Sequence, residues 1–312
     1  MSRLLGPPIL VIGELNVDIV ATGLLGLPQE GSETIAADFA LTLGSASGIF
    51  AAGISKLGHQ VTFVSQVGTD QFGDFCISEI QAAGVSRDQI QRNARVKTGA
   101  TMAFSGVRDR ALVTYLGAIE DFSYQQLNMS ILKGHRHLHM TSYFLQKGLR
   151  PSFAKIYRQA KEAGLTTSFD PNSDPTGSWS KTILGVLRHT DILFMNKREA
   201  LQMTRAGSVQ KALKILGDLV PCAVMKLGSR GATAIRGTEV ARAPGFNIKA
   251  VDTTGAGDSF DAGFMSSYLR GAPLMECLRL GNACGALSTR EPGGTAGQPD
   301  MRQLRRFLRS QK

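Results

Sequence analysis

The sequence has few cysteines, one tryptophan and no long apolar run. Its four cysteines, Cys76, Cys222, Cys277 and Cys284, form no Cys-x-x-Cys pair and indicate reduced, buried thiols of a cytoplasmic protein. No apolar stretch approaches the ~18 residues of a membrane-spanning helix. Two nucleotide-binding fingerprints are also missing: the P-loop pattern Gly-x-x-x-x-Gly-Lys-Ser/Thr, and a Gly-x-Gly-x-x-Gly after the first predicted strand. These absences argue against a P-loop protein and a Rossmann-type dinucleotide-binding protein.

Acidic residues are outnumbered by basic ones, 25 to 35, which gives a formal net charge of +10. Such a balance fits nucleic acid, a membrane surface or a small anionic ligand. The basic residues are mostly scattered, and their one dense run is the C-terminal MRQLRRFLRSQK. Leu304, Phe307 and Leu308 recur there at helical spacing, which predicts an amphipathic final helix. We therefore expect neither a nucleic-acid nor a membrane partner.

Strand-like and helix-like segments alternate along most of the chain. Short apolar runs predict buried strands, and the helical segments between them end at glycines such as Gly58 and Gly164. This alternation implies right-handed crossovers and a mainly parallel sheet covered by helices on both faces. The predicted strands lie at 9–13, 61–67, 137–144, 165–170, 191–196 and 221–228, and the first helices at 45–57 and up to about 83.

Two stretches interrupt this alternation. Residues 17–42 carry short β-prone pieces separated by glycine and proline, and residues 98–117 predict two strands with a turn at 108–110. Because neither stretch contains a helical segment, we expect both to pair as a small sheet over the main one. No linker is long enough to make an independent domain. We predict one domain over 1–312, with lid segments at about 14–42 and 98–118.

Polar or glycine-rich residues follow four of the predicted strands. Ligands of open α/β sheets bind beyond the carboxyl ends of the strands, where such residues form the rim of a site. Each cluster alone fits an ordinary turn, but four at one edge of a sheet favour a functional site. The clusters are Gly13-Glu14-Leu15-Asn16, Asp170-Pro171-Asn172, Asn196-Lys197-Arg198-Glu199 and Gly228-Ser229-Arg230-Gly231.

The segment DTTGAGDSFDAGF at 252–264 joins a glycine-rich turn to a predicted helix that starts at Ala256 or Gly257. The first N–H groups of a helix lack partners within it, and its N-terminus is electropositive, so this turn suits an anion. Gly255 and Gly257 leave the backbone open to a ligand. Asp258 fits two interpretations: a favourable charge in a first helical turn, or a base that takes a proton from a hydroxyl attacking phosphorus.

This segment resembles the C-terminal signature of the ribokinase-like, or PfkB-type, carbohydrate kinases, whose pattern is D-T-x-G-A-G-D. GSASGIFAAGISKLG at 44–58 is similar to the family's N-terminal glycine signature, and VGTDQFG at 67–73 to the element after it. The motifs DPN, NKRE and KLGSRG follow in the family's order, so the resemblance covers nearly the whole chain. It implies a three-layer α/β/α fold with a small β-sheet lid, and an ATP-dependent kinase that acts on a sugar or nucleoside hydroxyl.

The resemblance also implies catalytic roles. Asp258 would be the base. Glu199, which forms the family's N-x-x-E motif with Asn196, would act on Mg²⁺ through water, whereas the same pair also fits a helix capping box. The charge of the migrating phosphoryl group would be held by the backbone N–H groups of Gly255, Ala256 and Gly257.

On the nucleotide side, Asp252 matches a position that in many relatives helps to bind a monovalent cation, and it fits a turn equally well. Gly228 and Gly231 also fit a tight turn, and Asn282 a surface helix. The predicted cofactors are ATP and Mg²⁺, with K⁺ as a further candidate. The positions that match the family's ATP site are Asn196, Lys226, Gly228, Gly231 and Asn282.

On the acceptor side, Asp18 matches a carboxylate that binds sugar hydroxyls, although an exposed strand face would also suit it. Gly44 and Ser45 match a Gly-Gly pair that the sugar approaches. Ile49 departs from the family, because many relatives have a hydroxyl-binding asparagine there. A site without that partner loses substrates that depend on it, so ribose-like recognition is not predicted.

Two groups of basic side chains remain open to interpretation. Arg108 and Arg110 would reach a phosphate of the acceptor or of ATP, or face solvent in a turn. The family's arginine after the DPN motif is missing. His135, His137 and His139 alternate and would share a strand face, but no fourth metal ligand or cysteine pattern accompanies them. Surface or packing roles are favoured for these histidines.

Three functions remain open: a sugar kinase, a nucleoside kinase of the same fold, and a sensor that binds a sugar or nucleotide without turnover. The retained Asp258 argues against the sensor. The expected partner is a small-molecule sugar or nucleoside, and because relatives often dimerise through the lid, a homodimer is also expected.

Overall fold

The computed structural model describes residues 6–106 and 110–311, without the side chains of residues 105, 106 and 110. Arg108 and the side chain of Arg110 therefore lie outside the described residues. The strands are β1 (Gly6–Ile12), β2 (Asn16–Leu24), β3 (Asp38–Leu43), β4 (His59–Gly68), β5 (Ile90–Asn93), β6 (Gly99–Gly106), β7 (Arg110–Tyr115), β8 (His137–Thr141), β9 (Thr166–Asp170), β10 (Ile192–Asn196), β11 (Cys222–Lys226), β12 (Ala232–Arg236) and β13 (Glu239–Ala243).

Helices alternate with most of these strands. They are α1 (Ala46–Lys56), α2 (Gln71–Ala82), α3 (Ala118–Asp121), α4 (Phe153–Glu162), α5 (Ile183–Leu187), α6 (Lys197–Thr204), α7 (Val209–Leu219), α8 (Ala256–Tyr268), α9 (Leu274–Ser288) and α10 (Met301–Ser310). Short 3₁₀ turns cover Tyr124–Gln126, Met129–Leu132, Arg150–Ser152 and Gly228–Arg230.

The large sheet has, within the described residues, nine strands in the order β13-β12-β11-β10-β9-β8-β1-β4-β5. Neighbouring strands from β11 to β5 all run parallel, whereas β12 and β13 form an antiparallel hairpin at one edge. Because these strands run parallel, their carboxyl ends lie at one edge of the sheet. The predicted mainly parallel sheet is confirmed.

Successive side chains of a strand point to opposite sides, so apolar strands give this sheet two apolar faces. Helices cover both faces and bury these side chains. On one face, Ile9 and Val11 join a core with Phe50 of α1 and Phe264 of α8. On the other face, residues such as Leu10 pack in a second core with α4 and α7. The predicted three layers, helix, sheet and helix, are therefore confirmed.

A second sheet, called here the small sheet, consists of β3, β2, β6 and β7 in that order. It pairs the two stretches that carried no helical pattern, as the sequence predicted. One face carries Asp18, Thr42, Thr101 and Thr114, by the registers that place Asp18 opposite both Thr42 and Thr101. The opposite face carries Phe39, Met102 and Val113, which are exposed. The face that carries Asp18, called here the polar face, also carries Val20, Ala103 and Leu112, whereas the opposite face is mainly apolar.

Two smaller predictions also hold. The C-terminal basic run forms the amphipathic helix α10, of which Leu304 is buried against the body of the protein. All four cysteines are unpaired and buried. Within the described residues, no helix combines the length and apolar character needed to cross a membrane.

Candidate active site

The carboxyl ends of the parallel strands gather the polar clusters predicted from the sequence. β9 ends at Asp170, β10 at Asn196 and β11 at Lys226, and these strands are neighbours in the sheet. Glu14 follows β1, two strands further along the same edge. The N-terminus of α8 approaches this edge, since Lys226 bonds to Asp261 in its second turn and would lie 3.2 Å from a Cβ on Gly257 in its first.

The turn before α8 is shaped for a close approach to its backbone. Gly255 has φ 68°, a left-handed conformation that favours glycine. A Cβ added there would lie 2.8 Å from the Cα of Gly294 and 3.0 Å from side-chain atoms of Ile49. The N–H groups of Gly255 and Gly257 have no backbone acceptor within the described part of the chain, whereas that of Ala256 donates to the Thr253 carbonyl at 3.3 Å. The turn can therefore offer amide donors to an anion.

Asp258 is the third residue of α8 and is partly exposed beside this turn. Burial of its carboxyl raises its pKa to about 7. The positive charge of Lys226 opposes this rise, while the negative charges of Asp170 and Glu14 add to it. A carboxyl with a pKa near neutrality suits a general base, because it is partly ionised and still binds a proton effectively.

Lys226 forms a buried ion cluster with two aspartates from other elements. Its Nζ lies 2.6 Å from Asp170 Oδ2 and 3.1 Å from both carboxylate oxygens of Asp261. Burial alone would lower the pKa of Lys226, but Asp170 and Asp261 hold it above its usual value. Sequence reasoning assigned Lys226 to the nucleotide and missed Asp261, although Asp261 stands three residues after Asp258 on the same helix.

Three of the residues assigned to the acceptor, Asp18, Gly44 and Ser45, also come together. Asn16 Nδ2 donates to Asp18 Oδ1 at 3.2 Å. A Cβ on Gly44 would lie 2.2 Å from Asp18 Oδ1 and 2.6 Å from Asn16 Nδ2, so only glycine fits between these groups. The Ser45 hydroxyl is engaged within the protein: it accepts from Gly48 N–H at 2.8 Å as the cap of α1 and donates to the Glu14 carbonyl.

Glu14 is a buried carboxylate that the sequence placed on the rim without a role. Its carboxylate accepts hydrogen bonds from Ser47, Thr141, Ser142 and Gln146, with the hydroxyl oxygens of Ser47 and Ser142 both at 2.7 Å. A buried charge needs such a set of donors. Glu14 thereby ties β1 to α1 and β8 underneath the acceptor residues.

Three of the five described non-glycine residues with a positive φ lie in the same region. Ser45, Ser142 and Asn172 have φ values of 76°, 52° and 53°, which non-glycine residues rarely adopt. Asn172 Oδ1 accepts from Ser142 N–H at 3.0 Å and from its hydroxyl at 3.1 Å, which holds both in place. Strained residues persist where surrounding contacts fix them, and they cluster at functional sites.

Asn196 and Glu199 form a complete capping box at the start of α6. Asn196 Oδ1 accepts from Glu199 N–H at 2.9 Å, and Glu199 Oε2 accepts from Asn196 N–H at 2.8 Å. Glu199 Oε1 also accepts from the Ser173 hydroxyl at 3.0 Å. Burial raises the pKa of Glu199, and the charge of Asp170 adds to the rise. Each oxygen keeps a further lone pair, so the carboxylate fits a magnesium ion held through water.

A cavity of about 270 Å³ lies between α8, α9 and the turn after β11. Asn282 is buried in its wall and donates to the carbonyls of Ala243 and Pro244, at 3.1 and 2.9 Å, so it is not a surface residue. Gly231 has φ 92°, and a Cβ there would lie 2.1 Å from the Ala243 carbonyl oxygen. Lining residues include Lys226, Gly228, Gly231, Phe246, Ala256, Gly257 and Asn282, which brings the predicted nucleotide residues other than Asn196 into one cavity.

Asp252 and Ile49 both contact the loop at 293–294. Asp252 Oδ2 accepts from Gly293 N–H at 2.8 Å, and Oδ1 accepts from the N–H and hydroxyl of Thr254 at 2.9 and 2.8 Å. The carboxylate therefore has the geometry of a turn residue. Ile49 is buried against Gly255 and Gly294, so its side chain supports the turn before α8.

The three histidines take packing and hydrogen-bonding roles. His137 Nε2 and His139 Nδ1 share the Ser168 hydroxyl, each at 2.7 Å, and His139 stacks on Phe50 at 3.6 Å. Burial lowers the pKa of both residues, so they are neutral. His135 bonds instead to the Ile131 carbonyl and the Thr62 hydroxyl.

Comparison with known proteins places this site in a family. The family model described as "pfkB family carbohydrate kinase" matches residues 8–301. An uncharacterized sugar kinase of Archaeoglobus fulgidus is 28% identical over 79% of this chain and 98% of that protein. An ATP-dependent ribose-1-phosphate kinase of Halopiger xanaduensis is 30% identical over 91% of this chain and 93% of that protein.

Among solved structures, a protein from E. coli assigned as ribokinase II, in complex with ATP and Mg²⁺, superimposes with a TM-score of 0.86. It is 26% identical, and the match covers 97% of this chain and 99% of the other. The fold, the site at the carboxyl ends of the strands and the family match agree with one another. The chain is therefore an enzyme of the pfkB family of carbohydrate kinases, a kinase with an alcohol group as acceptor.

Proposed function

We propose that this protein transfers the γ-phosphoryl group of Mg-ATP to a hydroxyl of a sugar or sugar derivative, with Asp258 as the base. The observation that supports this most is the position of Asp258, partly exposed in the first turn of α8 and directly after the open amides of Gly255 and Gly257. Phosphoryl transfer depends mainly on positioning and on stabilisation of charge, and this turn offers both.

ATP is proposed to occupy the cavity between α8 and α9. Ala256 and Gly257 line this cavity, so its phosphates would end at the amides before α8. Bound magnesium neutralises charge on the phosphate oxygens. Glu199 would hold the magnesium ion through water. Binding of a monovalent cation such as K⁺ at Asp252 stays a prediction, and a comparison of turnover in K⁺ with turnover in Na⁺ tests it.

The acceptor is proposed to bind at Asp18 and Gly44, on the polar face of the small sheet. Asp18 would accept hydrogen bonds from hydroxyls of the acceptor, since a buried hydroxyl needs a partner. The small sheet would act as the lid that excludes water during transfer and so limits hydrolysis of ATP. The side chain of Ile49 supports the turn before α8, and no sugar contact is proposed for it.

A coupled assay of ADP release with D-fructose, D-ribose, ribose 1-phosphate and adenosine tests this proposal. Turnover of a sugar or sugar phosphate is expected, turnover of adenosine would favour a nucleoside kinase, and binding without turnover across a wide panel would favour a sensor. Melting shifts with the same compounds report binding independently, since a ligand that prefers the folded state stabilises it.

The variant Asp258→Asn tests the base itself. It is expected to lower kcat by about 10²- to 10⁴-fold, the usual range for a general base, with ATP binding retained. Asp74→Asn is the matched control, because Asp74 also stands in the first turn of a helix but is exposed and pairs with Arg92. Near-normal turnover of Asp258→Asn would show that another group takes the proton.

The apolar face of the small sheet is proposed to bind a second copy of this chain. Phe39, Met102, Val113 and Tyr115 are exposed there, and a sheet that exposes such a face is typical of an association surface. The face lies opposite the acceptor residues, so a dimer would leave the acceptor side of the sheet free.

A further inference from the structure

Three aspartates and one lysine converge beneath the first turns of α8. One carboxylate oxygen from each of Asp170, Asp258 and Asp261 lies within 4.8 Å of the others. Lys226 bonds to Asp170 at the end of β9 and to Asp261 on α8. Lys226 is 56 positions from Asp170 and 35 positions from Asp261 in the sequence, so three separate elements build the cluster.

The position of Lys226 is unfavourable by itself. Its Nζ would lie 3.2 Å from a Cβ placed on Gly257, which puts an ammonium against the N-terminus of α8. A helix N-terminus is electropositive and favours anions over cations. Burial adds a further cost, because an ammonium loses its water there. Asp170 and Asp261 offset these costs, yet buried ion pairs of this kind are seldom a net gain in stability.

The two aspartates that hold Lys226 are shielded from the water that would otherwise screen their charges. Asp170 and Asp261 are no more than 1% exposed, and the ring of Phe194 lies 6.0 Å from the Lys226 Nζ. Charges act on one another more strongly in such surroundings than at the surface. Asp258 is thus next to a negative and a positive charge that are both held in fixed positions.

We propose that Lys226 is a positioning residue for catalysis, whose ammonium, fixed by Asp170 and Asp261, keeps a substantial fraction of Asp258 ionised at neutral pH. This inference rests on the proposed function, because it gives Lys226 this task through Asp258. Lys226 carries no step of the reaction itself. Sequence reasoning placed Lys226 in the ATP site, and it does line that cavity, but its ammonium is held by two carboxylates of the protein.

The groups that act on Asp258 support this reading. Burial raises the pKa of Asp258, and Asp170 and Glu14 raise it further, whereas Lys226 lowers it most and the backbone N–H of Asp258 lowers it less. Asp258 in turn helps to raise the pKa of Asp261, the next acidic group along α8, after burial as the main cause. Removal of Lys226 should therefore leave Asp258 more protonated at pH 7, and removal of Asp170 should leave it less protonated.

Carboxyl ¹³C NMR of the full chain labelled at aspartate Cγ measures this without any acceptor. The Asp258 signal is assigned by its loss in Asp258→Asn, and its titration midpoint is then followed with pH. Lys226→Met is expected to raise the midpoint by about 1 to 3 pH units, and Asp170→Asn to lower it, by the usual size of such charge effects. The double variant should return close to the wild-type midpoint, since the two charges oppose each other.

Lys161→Met is the matched control. Lys161 pairs with Asp191 at 2.7 Å, but this pair lies before β10, at the opposite edge of the sheet from Asp258. Its loss should leave the midpoint of Asp258 unchanged. An unchanged midpoint in Lys226→Met, or shifts of the same sign in Lys226→Met and Asp170→Asn, would overturn the inference.

Two further points keep the test decisive. Where circular dichroism shows that Lys226→Met does not fold, the sign of the shift in Asp170→Asn decides. If the midpoint of Asp258 does not move downward in Asp170→Asn, the inference is overturned. Failure of the proposed function is recognised separately, because Asp258→Asn would then retain turnover. The titration midpoint of Asp258 in the other variants does not depend on that result.

Discussion

Replacement of Gly255 by alanine tests the geometry of the turn before α8. Left-handed backbone costs a non-glycine residue about 1 to 2 kcal/mol. The new Cβ would also meet Gly294 Cα at 2.8 Å and Ile49 at 3.0 Å, and overpacking of this kind costs about 1 to 3 kcal/mol more. Because one of these neighbours is backbone, the turn has to shift. A displacement of about 1 Å at a reacting centre costs about 100-fold in rate.

Gly164→Ala separates the two contributions. Gly164 has φ 81°, also left-handed, but nothing lies within 4 Å of an added Cβ. Urea unfolding should therefore show a loss of about 1 to 2 kcal/mol for Gly164→Ala and about 2 to 5 kcal/mol for Gly255→Ala. Turnover should fall in Gly255→Ala alone. Ile49→Ala should lower the stability less in that background than in wild type, because there it also removes one of the two new contacts and leaves the one to Gly294.

Equal stability of the two alanine variants, with full turnover of Gly255→Ala, would refute the reasoning. It would mean that the turn accepts a side chain, and that its close approach to Gly294 is not needed to position the amides.

Three further predictions concern the base, the buried carboxylate and the small sheet. First, kcat/KM should rise as pH increases through about 7, the pKa of Asp258, because only the ionised carboxylate accepts a proton. A flat profile of kcat/KM from pH 5 to 8 would contradict this. Second, Glu14→Gln should lower the free energy of unfolding by about 1 to 3 kcal/mol in urea, since an amide N–H would face the donors Ser47 and Ser142. Third, Met102→Arg should yield a monomer in sedimentation velocity while wild type sediments as a dimer.

Much of the fold followed from local sequence pattern. The alternation of apolar runs and helical segments predicted the parallel sheet, since a strand or helix must bury its apolar face wherever it lies. The start of α8 was predicted within one residue, because glycines in a turn and an acidic residue in a first helical turn are local signals. The small sheet was predicted from the absence of a helix between its strands.

Other assignments could not be settled locally. The sequence of Asn196 and Glu199 fits both a capping box and a metal-binding motif. The structure has the capping box, and its geometry is compatible with binding of magnesium by Glu199 through water. Ile49 suggested a changed sugar contact, but its side chain lies against Gly255 and Gly294. Residues far apart in the chain decide which neighbour a side chain meets.

The sequence by itself determined the family, the order of elements and the segment that carries the proposed base, because these depend on local composition and spacing. The tertiary structure alone decided that Lys226 pairs with Asp170 and Asp261, and that Glu14 lies among four donors. Those contacts join strands and helices whose crossovers bring them to one edge of the sheet. The charge around Asp258 is therefore a property of the folded chain, set by distances that sequence spacing does not contain.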